Sequence, residues 1–76
     1  MDVARRTVDP VQMRSRLVEA TVSCLVEFGY ARTTTLRVQQ RAGVSRGALL
    51  HHFPSKPDMF VAAVRSVAEQ QSVRMR

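Results

Sequence analysis

Hydrophobic residues recur along the chain in blocks that have the spacing of one face of an α-helix. In the first block, Asp9 can cap the helix, Pro10 suits its first position and Gln12 stands where a capping-box partner is expected. Gly29 suits a left-handed residue at the end of this helix. We therefore predict a first helix from about Pro10 to Phe28. Its inward stripe comprises Leu17, Val18, Thr21, Cys24, Leu25 and Phe28.

The next two blocks are short and are joined by a glycine turn. Thr34 is expected to cap a second helix that ends near Ala42, because its hydroxyl can accept a backbone N–H at the helix start. Gly43 supplies the turn, Val44 is the apolar residue between two crossing helices, and Ser45 caps the third helix. This arrangement predicts a helix-turn-helix over about residues 34–53.

The third helix is predicted to have two different faces. At about 100° per residue, Leu49 and Phe53 share the inward face, with Leu50 on its flank. Pro54 ends the helix, because the residue before a proline resists the helical conformation. The outward face is small and polar: it consists of Gly47, Ala48 and His51, with His52 on the other flank. A short helix with such a face has the dimensions to enter the major groove of DNA.

The last block predicts a fourth helix, which starts at a capping box formed by Ser55 and Asp58. Its expected inward stripe is Phe60, Val64 and Val67, flanked by Met59, Ala63 and Ala68. No glycine or proline ends this helix before Arg76, so we expect it to continue, or to pack on a segment outside these residues. The predicted fold class is all-α: a three-helix bundle with a helix-turn-helix, plus a fourth connecting helix.

The charge of the chain points to a polyanionic partner. Twelve cations and six anions give a net charge of +6. No aspartate or glutamate lies between Phe28 and Pro57, and this acid-free window holds Arg32, Arg37, Arg41, Arg46 and Lys56. Nucleic-acid binding is the interpretation that we favour. A basic helical protein-interaction or membrane-surface module without sequence-specific DNA binding is the alternative.

Other observations narrow the function classes. Cys24, the single cysteine, cannot form an internal disulfide, fits a reducing cytoplasm and is expected in the core. No apolar run approaches ~18 residues, and no apolar stretch follows the N-terminal arginines, so neither a membrane span nor a secretory signal is predicted. We recognise no nucleophile beside a general base, no paired carboxylates and no glycine-rich phosphate loop. We therefore expect that the chain is not an enzyme and binds no cofactor. His51 and His52 are expected to point apart without a third ligand, which argues against a metal site.

These residues resemble the N-terminal DNA-binding domain of the TetR family of bacterial transcriptional regulators. The resemblance covers roughly residues 16–64. Its strongest parts are Ala20, Phe28-Gly29-Tyr30, Thr33-Thr34, Arg41-Ala42-Gly43-Val44-Ser45, Gly47-Ala48-Leu49 and His52-Phe53-Pro54-Ser55-Lys56. It implies a cytoplasmic, nucleoid-associated repressor whose third helix reads a palindromic operator. It also implies homodimers and a small-molecule effector, both through a C-terminal domain that lies outside these residues.

Residues 1–8 show no periodicity and are interpreted as a flexible basic arm. The resemblance then implies a DNA-binding domain over residues 9–55 and helix four over residues 56–76 as the start of the link to the C-terminal domain. The arm carries Arg5 and Arg6, and one interpretation is that it contacts the minor groove of DNA. For these 76 residues alone we expect weak or half-site DNA binding.

When the roles of family residues are assigned to the matching positions of this chain, the resemblance also implies a set of DNA contacts. Arg46 is the expected base contact, because its guanidinium can pair with guanine O6 and N7. Gly47 and Ala48 would let the backbone approach the groove floor, and His51 would face the groove. The expected phosphate contacts are His52, Lys56, Thr34 and Thr35. The plainer readings are a solvated charge for Arg46, a surface charge for Lys56 and a helix cap for Thr34.

Three positions depart from the family pattern. Leu50 stands where a tyrosine usually touches the DNA backbone, so one phosphate hydrogen bond is expected to be missing. Gln39 replaces a small alanine on helix two and is expected to loosen the packing there. Leu36 occupies a position that is a base-reading arginine in some relatives, so helix two is expected to add little to sequence choice.

Overall fold

The computed structural model describes the backbone of residues 9–74 and the side chains of residues 9–71. Within this part the chain is all-α, as predicted, with no strand. The helices are α1 (Pro10–Phe28), α2 (Thr35–Ala42), α3 (Arg46–His52) and α4 (Lys56–Arg74). The predicted basic arm, residues 1–8, lies outside the described residues.

The first three helices begin at the predicted caps. The Asp9 carboxylate accepts the backbone N–H two residues ahead at 3.0 Å. The Thr34 and Ser45 hydroxyls each accept the N–H three residues ahead, both at 3.1 Å. These side chains satisfy backbone donors that have no partner within the helix, so the sequence itself fixes where each helix starts.

The start of α4 differs from the prediction. The Ser55 hydroxyl donates to the Asp58 carboxylate at 2.9 Å, so the two side chains bind each other. In a reciprocal capping box, each side chain would accept the other residue's backbone N–H. The residue pair was recognised correctly, but the predicted bonding pattern was wrong.

Two glycines with positive φ make the turns. Gly43 has φ 70° and ψ 37°, the left-handed conformation, and its N–H donates to the Gln39 carbonyl at 2.9 Å. Gly29 has φ 81° but ψ 169°, so it is not the left-handed residue that was predicted. Its extended ψ redirects the chain out of α1 into the Tyr30–Thr33 turn, where the Thr33 hydroxyl donates back to the Gly29 carbonyl at 2.7 Å.

The core lies between α1 and the other three helices. Cys24 is fully buried, which confirms its prediction as a core residue. The hydroxyl of buried Thr21 donates to the Leu17 carbonyl at 2.7 Å, which explains how a polar residue fits in the inward stripe. The buried cluster consists of Leu17, Ala20, Cys24, Val38, Leu49, Phe53, Met59 and Ala62. Because Leu49 of α3 and Phe53, which directly follows the helix, both belong to this cluster, the orientation of α3 is fixed by the core.

The predicted inward face of α4 was wrong. Phe60, Val64 and Val67 are 37%, 51% and 39% exposed. The buried positions on α4 are Met59, Ala62 and Ala63. Small residues let two helix backbones come close together, and the two alanines allow α4 to pack against α1. Phe60, Val64 and Val67 therefore lie on the outside of α4, while Met59 is the one large side chain among the buried positions described for this helix.

Candidate nucleic-acid interface

Helix α3 presents one face to the core and the other to solvent. Leu49 and Phe53 are 1% and 2% exposed, which confirms the predicted inward face. Gly47 and His51 are exposed, as is Arg46 at the first position of the helix. The remaining positions, Ala48, Leu50 and His52, are half-buried. The outward surface of α3 is therefore narrow, polar and free of large apolar side chains.

The turn before α3 holds it against α2. Val44 is half-buried and packs against the core cluster, as expected for the residue between two crossing helices. Its N–H donates to the Gln39 carbonyl at 3.2 Å, so the turn is tied to the last residues of α2. This rigid turn makes α2 and α3 one unit, which is the geometry of a helix-turn-helix.

Thr34 and Thr35, the predicted phosphate contacts at the start of α2, differ in their exposure and bonding. Thr34 is exposed and its Oγ1 serves as the cap. Thr35 is half-buried as the first residue of the helix. A hydroxyl that accepts a backbone N–H still has its own proton to donate, so capping by Thr34 does not exclude a hydrogen bond to a phosphate.

The cations of the acid-free window do not form one surface. The Arg41 guanidinium donates to the Ser23 hydroxyl at 2.6 Å and forms an ion pair with Glu27. The hydrogen bond to the Glu27 carboxylate raises the pKa of Arg41. Arg41 therefore ties α2 to α1. Sequence reasoning missed this pair, although Glu27 stands immediately before the window.

Arg37 and Arg46 also differ in their surroundings. The Arg37 guanidinium carbon lies 4.2 Å from the centroid of the Phe28 ring, a cation–π contact on the side facing α1. Within residues 9–71, the Arg46 guanidinium has no ion pair, hydrogen bond or aromatic contact. Arg37 thus rests on an aromatic ring of α1, whereas Arg46 is exposed at the start of α3 with none of these contacts.

Lys56 occupies the first position of α4 and is half-buried. Its Nζ atom lies 4.1 Å from the centroid of the Tyr30 ring. The Tyr30 ring in turn meets Phe60 edge to face, with centroids 4.8 Å apart. The structure therefore connects Lys56 with the turn that leads into Thr34. Sequence reasoning did not predict this contact, because no local pattern relates residues so far apart along the chain.

The two adjacent histidines lie closer together than predicted. Their ring centroids are 5.4 Å apart with an interplanar angle of 83°, so the expectation that they point apart was wrong. His51 is exposed and His52 is half-buried near the Phe53 ring, 6.3 Å between centroids. Across the described part of the chain, no group of three or more His, Cys, Asp or Glu residues is placed to hold a metal ion.

None of the described helices is both long and apolar enough to cross a bilayer.

Comparison with known proteins identifies one family of DNA-binding regulators. The family model described as "Bacterial regulatory proteins, tetR family" matches residues 17–63. The HTH-type transcriptional repressor AcnR of Corynebacterium efficiens is 36% identical over 63 residues, which cover 83% of this chain and 34% of AcnR. AcnR of Corynebacterium glutamicum is 35% identical over 63 residues, with the same coverage of 83% and 34%. The HTH-type transcriptional regulator CymR of Pseudomonas putida is 38% identical over 66 residues, 87% of this chain and 32% of CymR.

The chain thus spans about a third of the length of the curated relatives it matches. No solved structure matches it significantly. The family model covers more than half of the chain and includes the whole helix-turn-helix. The chain belongs to the TetR family of bacterial transcriptional regulators.

Proposed function

We propose that this chain binds double-stranded DNA sequence-specifically and that α3 enters the major groove. The observation that carries the proposal is the outward face of α3, which exposes Arg46, Gly47 and His51 while Leu49 and Phe53 anchor the helix in the core. An α-helix fits the major groove, where each base pair presents a distinct set of donors and acceptors. The proposal covers residues 9–55 as the DNA-binding domain and residues 56–76 as the link to a further domain.

Arg46 is the proposed base-reading residue. Its side chain is exposed at the start of α3 and has no internal partner among the described side chains. The planar guanidinium can donate two parallel hydrogen bonds to O6 and N7 of a guanine. Gly47 and Ala48 follow as small residues that let the helix backbone approach the bases, and His51 lies one turn further along the exposed side.

The proposed phosphate contacts lie at the ends of the helices. Thr34 and Thr35 stand at the start of α2, and Lys56 stands at the start of α4. Free backbone N–H groups and the positive end of the helix dipole favour an anion at these positions. His52 is half-buried on the flank of α3 and would contact a phosphate beside the groove. Such contacts fix the register of the protein on the duplex without reading its sequence.

Two departures from the family pattern limit these contacts. Leu50 is half-buried and packs against the core cluster, so this position supplies no hydrogen-bond donor to the backbone of DNA. Leu36 is 53% exposed on α2 and can make only apolar contacts. Sequence choice should therefore come mainly from α3. The effect of Gln39, which is half-buried on α2, stays a prediction.

We further propose that the regulator acts as a repressor in the bacterial cytoplasm, as a homodimer on a palindromic operator. The AcnR relatives carry the name of repressors. In such a dimer, the α3 helices of the two subunits must lie about 34–36 Å apart, or a multiple of that distance, to enter successive major grooves. In the TetR family resemblance, dimer contacts and the response to a small-molecule effector belong to a C-terminal domain.

The function can be tested by selecting bound sequences from a random duplex pool with the 76-residue chain. We expect a preferred half-site that contains a guanine, with an affinity that falls steeply as salt rises. The alternative, a basic module that binds membranes or other proteins, predicts no sequence preference and better binding to anionic vesicles than to duplex DNA. Selection without enrichment of any sequence would contradict the proposal.

A further inference from the structure

We propose that Tyr30 is a positioning residue for DNA binding: its ring holds the Lys56 ammonium group where that group can meet a DNA phosphate. The proposal rests on the proposed function, because Lys56 is a contact only if the chain binds DNA. It adds a residue from the α1–α2 connection to an interface otherwise built from helices α2, α3 and the start of α4.

The geometry of the contact is that of a cation–π interaction. The Lys56 Nζ atom lies 4.1 Å from the centroid of the Tyr30 ring, inside the range of about 6 Å over which the face of an aromatic ring attracts a cation. The ring also contacts Phe60 edge to face, at 4.8 Å between centroids and an angle of 75°. Phe60 lies about one turn after Lys56 on α4, so both contacts of the ring come from one helix.

The backbone beneath Tyr30 is also fixed. Thr33, which is 1% exposed, donates its N–H to the carbonyls of Gly29 and Tyr30 at 3.1 and 3.2 Å. Its hydroxyl donates to the Gly29 carbonyl at 2.7 Å. These bonds close the turn that carries Tyr30. The ring is thus supported by the turn as well as by Phe60, and it can act as a stable platform.

Lys56 needs such a platform for a physical reason. A cation at the first position of a helix lies beside the positive end of the helix dipole, which repels it. The lysine side chain is also flexible, and ordering it when DNA binds would weaken the complex. The face of the Tyr30 ring offsets the repulsion and restricts the side chain before DNA arrives. A phosphate then meets both the ammonium group and the N–H groups at the start of α4.

The chain contains a matched control for this contact. Arg37 lies over the Phe28 ring at 4.2 Å, a similar cation–π pair, but neither residue belongs to the proposed DNA contacts. The Phe28 ring also packs against the core cluster and lies 5.7 Å from the Arg41 guanidinium carbon, so its loss should disturb the fold at least as much as loss of the Tyr30 ring, but without coupling to DNA affinity. A general effect of removing an aromatic ring can in this way be separated from the positioning of Lys56.

The test is a double-mutant cycle on the duplex returned by sequence selection. Tyr30→Leu should weaken binding about two- to five-fold, the size expected for an exposed cation–π contact. Tyr30→Phe keeps the ring and should bind as the original chain does. In a chain that already carries Lys56→Ala, Tyr30→Leu should cause no further loss. The control cycle of Phe28→Leu and Arg37→Ala should show no coupling in DNA affinity.

A second measurement does not depend on DNA. In the free protein, the ring current of Tyr30 should shift the side-chain ε-proton resonances of Lys56 upfield in the NMR spectrum. The shift should persist in Tyr30→Phe and disappear in Tyr30→Leu. Should Tyr30→Leu fail to fold, Phe60→Leu replaces it in the cycle, because it removes the edge-to-face contact of the Tyr30 ring and should also weaken binding only when Lys56 is present.

Several results would overturn the proposal while leaving the proposed function intact. These are the absence of the ring-current shift, additive losses from Tyr30→Leu and Lys56→Ala, and an equal loss from Tyr30→Phe and Tyr30→Leu. The last result would assign the effect to the phenol hydroxyl and not to the ring. If the original chain shows no sequence preference on duplex DNA, the proposed function fails and the positioning role fails with it. The NMR shift then still reports whether the contact exists.

Discussion

Arg41 at the end of α2 and Arg46 at the start of α3 stand five positions apart in the same acid-free window, yet their surroundings are opposite. Arg41 is bound to Ser23 and Glu27 of α1. Arg46 has no such partner among residues 9–71. The first arginine joins two helices of the domain, and the second leaves its donors for another molecule.

The difference between the two arginines shows that a segment without acidic residues can still lie beside an acidic residue from another part of the chain. Glu27 precedes the window by position but reaches into it through the packing of α1 against α2. A count of cations along the chain therefore overstates the charge available to DNA. Among the described residues, Arg41 is the cation of the window whose donors are bound to other side chains, and Arg46 and Lys56 stand at the start of α3 and of α4 without such a bond.

The largest expected effect comes from Arg46→Ala. Loss of the two hydrogen bonds to guanine should weaken binding to the best duplex by roughly 1–3 kcal/mol and relax the choice at one base pair. The free energy of unfolding should hardly change, because the side chain has no internal contact in the described structure. Binding titrations on the selected duplex and on duplexes changed at one base pair measure both effects. An equal loss on selected and random duplexes would mean that Arg46 does not read a base.

Lys56→Ala should have the next largest effect and should act on all sequences alike. Loss of one phosphate contact should weaken binding by about 1 kcal/mol and lower the slope of log K against log salt by about one. Arg65→Ala is a matched control, because it removes one exposed cation from the later part of α4. If both variants lower the slope equally, Lys56 acts only through net charge.

Gly47→Ala should separate stability from binding. Gly47 lies on α3, and a Cβ atom built there meets nothing within 4 Å. Alanine should therefore stabilise the folded chain by roughly 0.5–1 kcal/mol. The added methyl group should nevertheless weaken DNA binding, because it stands between the helix and the groove floor. Urea unfolding and DNA titration give the two values, and improved binding would argue against a close approach at Gly47.

The smallest effect is expected for the ion pair between Arg41 and Glu27. Arg41→Ala should lower the free energy of unfolding by no more than an exposed ion pair usually contributes, and Glu27→Ala should do the same. The double variant should be no less stable than Arg41→Ala alone, because Glu27 has already lost its partner in that variant, whereas Glu27→Ala alone keeps the Arg41–Ser23 bond. DNA affinity should stay nearly constant in all of them. A loss of affinity from Arg41→Ala as large as that from Arg46→Ala would remove the distinction between the two arginines.

Much of the fold could be predicted from the sequence, because its signals are local. The caps Asp9, Thr34 and Ser45 each act within three residues of themselves, and Gly43 sets a turn by its own conformation. The inward face of α3 also followed from spacing alone. The face of α4 did not, because large apolar residues dominate a hydrophobic pattern while the packing of α4 on α1 requires the small side chains of Ala62 and Ala63.

The candidate interface was less predictable, since it depends on contacts between distant segments. Spacing along α3 places Arg46 near the inward residues Leu49 and Phe53, so its exposure is a finding of the structure and its role came from the family resemblance. The pairing of Arg41 with Glu27 and the position of Lys56 over the Tyr30 ring depend on how α1 packs against α2 and α4. Spacing along the chain carries no information about such contacts. The resemblance to the TetR family supplied roles for single positions but not these supports.

The central claim is that the outward face of α3 lies in the major groove. Protection of guanine N7 from methylation by dimethyl sulfate tests it directly, because N7 is exposed only in that groove. We predict that the chain protects a guanine of the selected half-site and that Arg46→Ala, compared at equal occupancy, restores its methylation. A bound complex in which every guanine N7 of the site stays as reactive as in free DNA would contradict the account.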